Sequence, residues 1–157
     1  MVYKYSIANW QNTKSTLLSL MRDIVLTRNQ YELVESNYAE TMDMTYAQHN
    51  TAYILYEYIT KFAKEIEKNL SLERLWYERQ CQNDVHPVHD HGDIGWSGIV
   101  YLQFDKTKHT GTIFESGALD VNEGDICFFP SYLSHWTIPN SSESERIVIS
   151  FNLSEVI

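Results

Sequence analysis

Glycine and proline are missing from the first 74 residues of this chain; all six glycines and three prolines lie at or after Pro87. Helix interiors avoid both residues, whereas turns between strands use them. The first half therefore predicts helices and the second a set of short strands. Cysteine is scarce as well: Cys81 and Cys127 are too few for a disulfide framework, and they form no Cys-x-x-Cys pair. Two reduced thiols of a cytoplasmic protein are the expectation. Basic charge is in deficit, with 12 Lys and Arg against 21 Asp and Glu, a net charge of −9. Such a surface repels phosphate backbones and argues against general nucleic-acid binding. No stretch approaches the roughly 18 apolar residues that span a membrane, and the first residues lack the apolar run of a signal peptide.

What is present suits one domain with one core. The 157 residues are 43% hydrophobic and 13% aromatic, richer in both than a disordered chain. Residues 1–74 read as a mainly helical layer and 75–157 as the β core. Leu17, Leu20, Met21 and Ile24 recur at helical spacing, with Thr13 as the expected N-cap. Leu55, Tyr58, Ile59, Phe62, Ile66 and Leu70 form one stripe, opposed by Lys61, Lys64, Glu65, Glu67 and Lys68. That is an amphipathic helix packed on a large apolar face. Residues 29–48 carry no clear period and are left as a loop or a short helix.

Strand-like runs follow at 75–82, 97–104, 111–114, 118–121, 126–129, 135–138 and 146–153, most of them separated by turn residues. This spacing suits a sandwich, barrel or jelly roll. In the last run Ile147, Ile149, Phe151 and Leu153 alternate with Arg146, Val148, Ser150 and Asn152. A strand places these sets on opposite faces. The second face holds a guanidinium, a hydroxyl and an amide, costly to bury unless something pairs with them.

Three of the six histidines fall within His86-Pro87-Val88-His89-Asp90-His91. On a strand, His89 and His91 would share a face and could share one metal, with Asp90 pointing away. His135 opens a later strand, which a jelly roll can lay beside the first. An alternative ligand set keeps a carboxylate, through His91, Asp93 and His135. A facial three-ligand site leaves positions open on an Fe(II) ion for a co-substrate and O2. Arg146, on the polar face of the last strand, suits the far carboxylate of a dicarboxylate chelated by that ion. Ser150 shares the face, and Tyr101 is a further candidate to donate its hydroxyl. The competing reading of Arg146 is an edge-strand arginine paired with Glu143 or Glu145. His86 reads as a solvated or hydrogen-bonded ring, with a supporting role behind the ligands left open. Trp96 and Trp136 read either as walls of the site or as ordinary packing.

The order His89-Asp90-His91, Trp96-Ser97-Gly98-Ile99-Val100-Tyr101-Leu102, Gly124-Asp125 to Phe129-Pro130, His135 and Glu145-Arg146 to Ser150-Phe151-Asn152 resembles the 2-oxoglutarate/Fe(II) oxygenases common in bacteria and their tailed phages. The likeness spans about residues 76–153. It implies an α+β chain whose second half is a double-stranded β-helix, a cupin-like jelly roll, with the helical layer packed on its major sheet. It further implies iron at His89, His91 and His135, and 2-oxoglutarate at Arg146, with O2 as the second co-substrate. Relative to oxygenases at large, His91 stands where an acidic ligand follows the first histidine. Two rivals stay open: a three-His zinc hydrolase or hydratase, and a cupin-like module without catalysis. A protein side chain or a small molecule is favoured over nucleic acid as prime substrate. The expected setting is the cytoplasm of a bacterial or phage-infected cell, without membrane association and with a homodimer open as its assembly.

Overall fold

The computed structural model describes residues 1–28, 37–38 and 46–157. Its elements run β1 (Tyr3–Ser6), α1 (Trp10–Arg28), β2 (Asn37–Tyr38), α2 (Tyr46–Glu65), β3 (Leu70–Gln80), β4 (Trp96–Gln103), β5 (Ile113–Phe114), β6 (Gly117–Ala118), β7 (Asp125–Pro130), β8 (His135–Trp136) and β9 (Arg146–Glu155). The loop or short helix expected over 29–48 falls largely outside the described residues.

Six strands form an antiparallel sheet in the order β1-β7-β4-β9-β3-β2, and three form a smaller one in the order β6-β5-β8. Most sheet neighbours are distant in sequence, as in β1-β7, β7-β4, β4-β9 and β9-β3, whereas β2-β3 and β5-β6 are consecutive. The double-stranded β-helix expected of the second half is present, and the helices cover its larger sheet.

The two faces of that sheet carry different cores. Ile147, Ile149, Phe151 and Leu153 of β9 join Val100, Leu102, Ile126 and Phe128 beneath Leu17, Leu55 and Phe62 of the helices. Phe62 stacks on Phe128 with ring centroids 4.2 Å apart. Burying such a ring contributes about 2–3 kcal/mol. On the opposite face Ile99, Tyr101, Cys127, Phe129 and Val148 pack between the sheets. The alternation read along β9 is thus the division between helix layer and barrel interior.

Three local expectations need correction. Helix α1 begins at Trp10, not after Thr13. The Thr13 amide instead makes an early helical bond to the Asn9 carbonyl at 3.1 Å, and Asn9 turns the chain with φ 51°. Trp10 is fixed there by its Nε1–H, which donates to Glu123 Oε2 at 3.0 Å. The buried side of α1 includes Leu17 and Met21; the Ile24 side chain lies outside the described ones. Helix α2 stops at Glu65. Glu67 adopts φ 55°, and the Lys68 and Glu67 amides bond back to the Ala63 and Lys64 carbonyls at 2.9 and 3.2 Å. This is a Schellman closure with a glutamate in the position that glycine usually takes, so no glycine marks the stop. Leu70, the expected end of the helical stripe, opens strand β3. The N-terminal segment also supplies β1, paired with β7 from Tyr3 opposite Phe128 to Ser6 opposite Asp125.

Candidate metal centre

Strand β3 turns Trp76, Glu78 and Gln80 toward the barrel interior, while Leu75 and Tyr77 join the helix-side core. Strand β9 lies beside it, with Trp76 opposite Ser150, Glu78 opposite Val148 and Gln80 opposite Arg146. The interior cavity between the sheets is lined by the three predicted histidines and by Glu78, Arg146 and Ser150, among others.

His89 and His135 face each other across one antiparallel bridge, with amide-to-carbonyl distances of 3.0 and 2.9 Å in the two directions. The expected strand through the His-x-His segment is therefore reduced to this bridge. The His91 amide turns to the Ser131 carbonyl at 2.9 Å, and Gly92 follows with φ 99°. The rings still converge. Candidate ligand atoms of His89, His91 and His135 all lie within 4.8 Å of one another, and His91 Nε2 is 3.3 Å from His135 Nε2.

Two of the rings have their tautomers fixed by the backbone. His89 Nδ1 is 2.8 Å from the Pro87 carbonyl, and His135 Nδ1 is 2.9 Å from the Leu133 carbonyl. A carbonyl only accepts, so each Nδ1 must carry the proton. The Nε2 lone pairs are left for a metal. Burial is the main reason that all three rings resist protonation. It pushes His135 down to about 3 and His91 to about 4, and it lowers His89, with neighbouring histidines adding to each effect. Neutral imidazoles are the form that binds metal.

Asp93 is exposed and lines a separate surface groove with Ile94 and Tyr132, so the alternative set with a carboxylate is not assembled. Asp90 is also exposed, and its Oδ1 accepts the Gly92 amide at 3.0 Å. Trp136 lines the cavity. Trp96 does not: its ring packs on Phe62 with centroids 5.1 Å apart, on the helix side of the sheet.

Arg146 is 3% exposed, which rules out a surface pair with Glu143 or Glu145. Its Nε–H donates to the Thr110 carbonyl at 3.2 Å, and NH1 donates to Gln80 Oε1 at 3.4 Å. Its plane lies against the rings of Tyr101 and Phe104, 5.6 and 5.7 Å from their centroids. Among the described residues NH2 is buried with no hydrogen-bond partner. A buried guanidinium nitrogen left unpaired is costly; a carboxylate reaching it would satisfy it. Asn152 Oδ1 accepts from Ser97 at 3.2 Å, and Ser150 borders the cavity. Tyr101 is buried, its hydroxyl donating to Thr112 Oγ1 at 2.7 Å and accepting the Thr112 amide at 3.2 Å. Burial lifts its pKa to about 12.

Sequence reasoning passed over Glu78 and Gln80. Their signal was present as the polar half of an alternation, Trp76, Glu78 and Gln80 against Leu75 and Tyr77, inside a run already read as a strand. Gln80 Nε2 donates to Thr137 Oγ1 at 2.8 Å, and the same hydroxyl accepts the His86 amide at 2.8 Å. These bonds tie the arginine end of the cavity to the histidine end.

Three comparisons bear on this arrangement. A family model described as "Putative 2OG-Fe(II) oxygenase" matches residues 113–152, a stretch that holds His135, Arg146 and Ser150. No curated protein sequence matches the chain significantly. Among solved structures, the viral collagen prolyl hydroxylase of Paramecium Bursaria Chlorella virus-1, in its 2OG complex, superposes with TM-score 0.75 at 13% identity, covering 99% of this chain and 96% of that one. The α-ketoglutarate-dependent carbocyclase SnoK from nogalamycin biosynthesis gives 0.77 at 11% identity, covering 97% and 78%. HygX from Streptomyces hygroscopicus, with nickel and 2-oxoglutarate bound, gives 0.72 at 10% identity, covering 98% and 82%. At these identities the likeness establishes the fold.

Proposed function

We propose that this chain is an Fe(II)- and 2-oxoglutarate-dependent oxygenase, a hydroxylase in which His89, His91 and His135 hold the metal and Arg146 holds the co-substrate. The observation that carries the reading is the combination of two preformed features: a converging set of neutral imidazoles and, in the same cavity, a buried guanidinium nitrogen without a hydrogen-bond partner among the described residues. The donor set fits a divalent first-row ion, and the unpaired nitrogen fits the far carboxylate of 2-oxoglutarate. A zinc hydrolase would use the imidazoles but would leave the guanidinium without a task.

Bound iron would couple oxidative decarboxylation of 2-oxoglutarate by O2 to hydroxylation of a C–H bond in the prime substrate. The protein's own contribution is geometric. The Pro87 and Leu133 carbonyls hold two of the rings in the metal-binding tautomer. Gln80, Thr110, Tyr101 and Phe104 fix Arg146 on all but one side, so NH2 is aimed rather than free to wander. Ser150 would offer a hydroxyl in the same cavity. Tyr101 acts through Thr112, which it holds at the cavity wall. The prime substrate is a protein side chain or a small molecule rather than a nucleic acid, in keeping with the net charge of −9.

The test is succinate release from 2-oxoglutarate by protein reconstituted anaerobically with Fe(II) and then exposed to O2. His135→Ala is expected to abolish iron binding and turnover. Turnover that survives both His135→Ala and Arg146→Ala would refute the assignment.

A further inference from the structure

The ligand set inferred above contains no carboxylate. Three neutral imidazoles around Fe(II) would leave two positive charges inside a barrel, where the medium screens poorly. Among the described residues the buried carboxylates are Glu78, Asp84 and Asp125. Two of them serve turns. Asp84 Oδ2 accepts the Cys81 amide at 2.8 Å, and Asp125 Oδ2 accepts the Asn122 amide at 2.8 Å. Glu78 alone of the three lines the metal cavity.

Glu78 also holds two rings. Its Oε1 accepts from Trp76 Nε1 at 2.9 Å, and its Oε2 lies 3.3 Å from His86 Nδ1. Each of those rings lies against a candidate ligand. His86 stacks on His89 with centroids 3.8 Å apart and planes 13° from parallel. Trp76 tilts against His91 with centroids 5.7 Å apart. One carboxylate thus fixes the neighbours of two of the three imidazoles.

We propose that Glu78 is the positioning residue and counter-charge of this metal centre: it orients His89 and His91 through His86 and Trp76, and it supplies from one layer back the negative charge that the ligands lack. The inference rests on the metal-site reading given above. Burial alone would push the Glu78 carboxyl up, but hydrogen bonds from His86 and Trp76 and the Arg146 guanidinium outweigh it and hold the group at about 2. Glu78 lines the same cavity as all three candidate ligands.

The experiment titrates full-length protein with Co(II) alone, read by its visible absorption, in wild type, Glu78→Gln and His86→Phe. Glutamine keeps the shape and an acceptor for Trp76 but removes the charge. Phenylalanine keeps a ring over His89 but breaks the bond to Glu78. Loss of an outer carboxylate of this kind weakens metal binding about 10- to 100-fold, and a loss in that range is expected for Glu78→Gln with an unchanged far-ultraviolet circular dichroism spectrum. Its Fe(III)/Fe(II) midpoint should also move to more positive potential, a direction that a purely structural role does not dictate. His86→Phe should weaken Co(II) several-fold, and it decides the matter by itself if Glu78→Gln does not fold. Folded variants that bind Co(II) within about twofold of wild type, with an unmoved potential, would overturn the role of Glu78 alone. A wild-type protein that binds no Co(II) would overturn the metal-site reading and this inference with it.

Discussion

Arg146 and Gln80 sit directly opposite each other on β9 and β3, and NH1 of the first donates to Oε1 of the second at 3.4 Å. The amide of Gln80 is used at both ends, because Nε2 donates onward to Thr137 Oγ1. An arginine in a barrel interior is normally a poor choice, since its desolvation outweighs most partners. Here the β3–β9 pairing delivers an acceptor to one nitrogen, the Thr110 carbonyl ahead of β5 takes another, and the third is buried without a partner among the described residues. On the proposed reading, Arg146 would meet a co-substrate carboxylate with its orientation already set.

Replacing Arg146 with Gln should therefore damage co-substrate binding selectively. Truncating one partner of a buried charge pair costs about 2–3 kcal/mol or more, which corresponds to roughly a 30- to 200-fold rise in the 2-oxoglutarate KM. Co(II) affinity measured without 2-oxoglutarate should stay within a few-fold of wild type. Steady-state succinate release and a Co(II) titration on the same preparation check both halves.

The metal-free protein should lose stability as pH falls below the ordinary histidine value. His135 is held at about 3 and His91 at about 4, both below the 6.5 of a free ring. Between those values the unfolded chain binds protons that the folded chain refuses, so protonation favours unfolding as pH drops. The contribution of each ring is complete above 6.5 and is lost on the way down to its folded value. Glu78 adds the same trend from 4.5 down to about 2. By pH 5 His135 should have given up on the order of 1–2 kcal/mol. Melting temperatures of the apoprotein from pH 8 to pH 4 should show the decline, and His135→Asn should flatten it. An apoprotein whose Tm does not respond to pH in this window would contradict the shielding.

Much of the site was legible because its signals are local. The His89 and His91 pair is dense in sequence, and the alternation from Arg146 to Leu153 separates barrel from helix face without knowledge of any partner. The parts that escaped depend on distant pairing. Nothing within Tyr3–Ser6 marks it as a strand until Asp125–Pro130 lies beside it. The stop of α2 hides because a glutamate closes it. Glu78 and Gln80 look like ordinary surface residues of a strand until β9 brings Arg146 across. Trp96 stayed open between cavity wall and ordinary packing for the same reason: its position two residues before Gly98 says nothing of which face the strand offers to Phe62.

Gly98 should not tolerate a side chain. A β-carbon there would lie 2.0 Å from Phe151 Cζ, and Phe151 is itself fully buried, edge-on to Phe128 at 5.7 Å. The ring cannot swing aside without displacing the helix-side core. Overpacking of this kind costs about 1–3 kcal/mol, so Gly98→Ala should lower the urea midpoint with little change in slope. Gly98→Ala combined with Phe151→Leu should recover part of the loss. Recovery would place the clash at this pair rather than in the backbone of β4.

Tyr101→Phe separates the ring of Tyr101 from its hydroxyl. The ring lies 5.6 Å from the Arg146 guanidinium and would remain to steady it. The hydroxyl both donates to Thr112 Oγ1 and accepts the Thr112 amide, so its removal leaves a buried N–H without a partner. That costs about 1–3 kcal/mol, which for a chain of this size lowers Tm by several degrees. Because the hydroxyl is taken up by Thr112, the 2-oxoglutarate KM should rise only about two- to fivefold, well short of the Arg146→Gln effect. Thr112→Val should reproduce the KM change, since Thr112 is the member of the pair that lines the cavity. A KM increase in Tyr101→Phe as large as that of Arg146→Gln would instead put the phenol in direct contact with the co-substrate carboxylate. Measuring Tm and KM on the three variants in parallel separates the two arrangements.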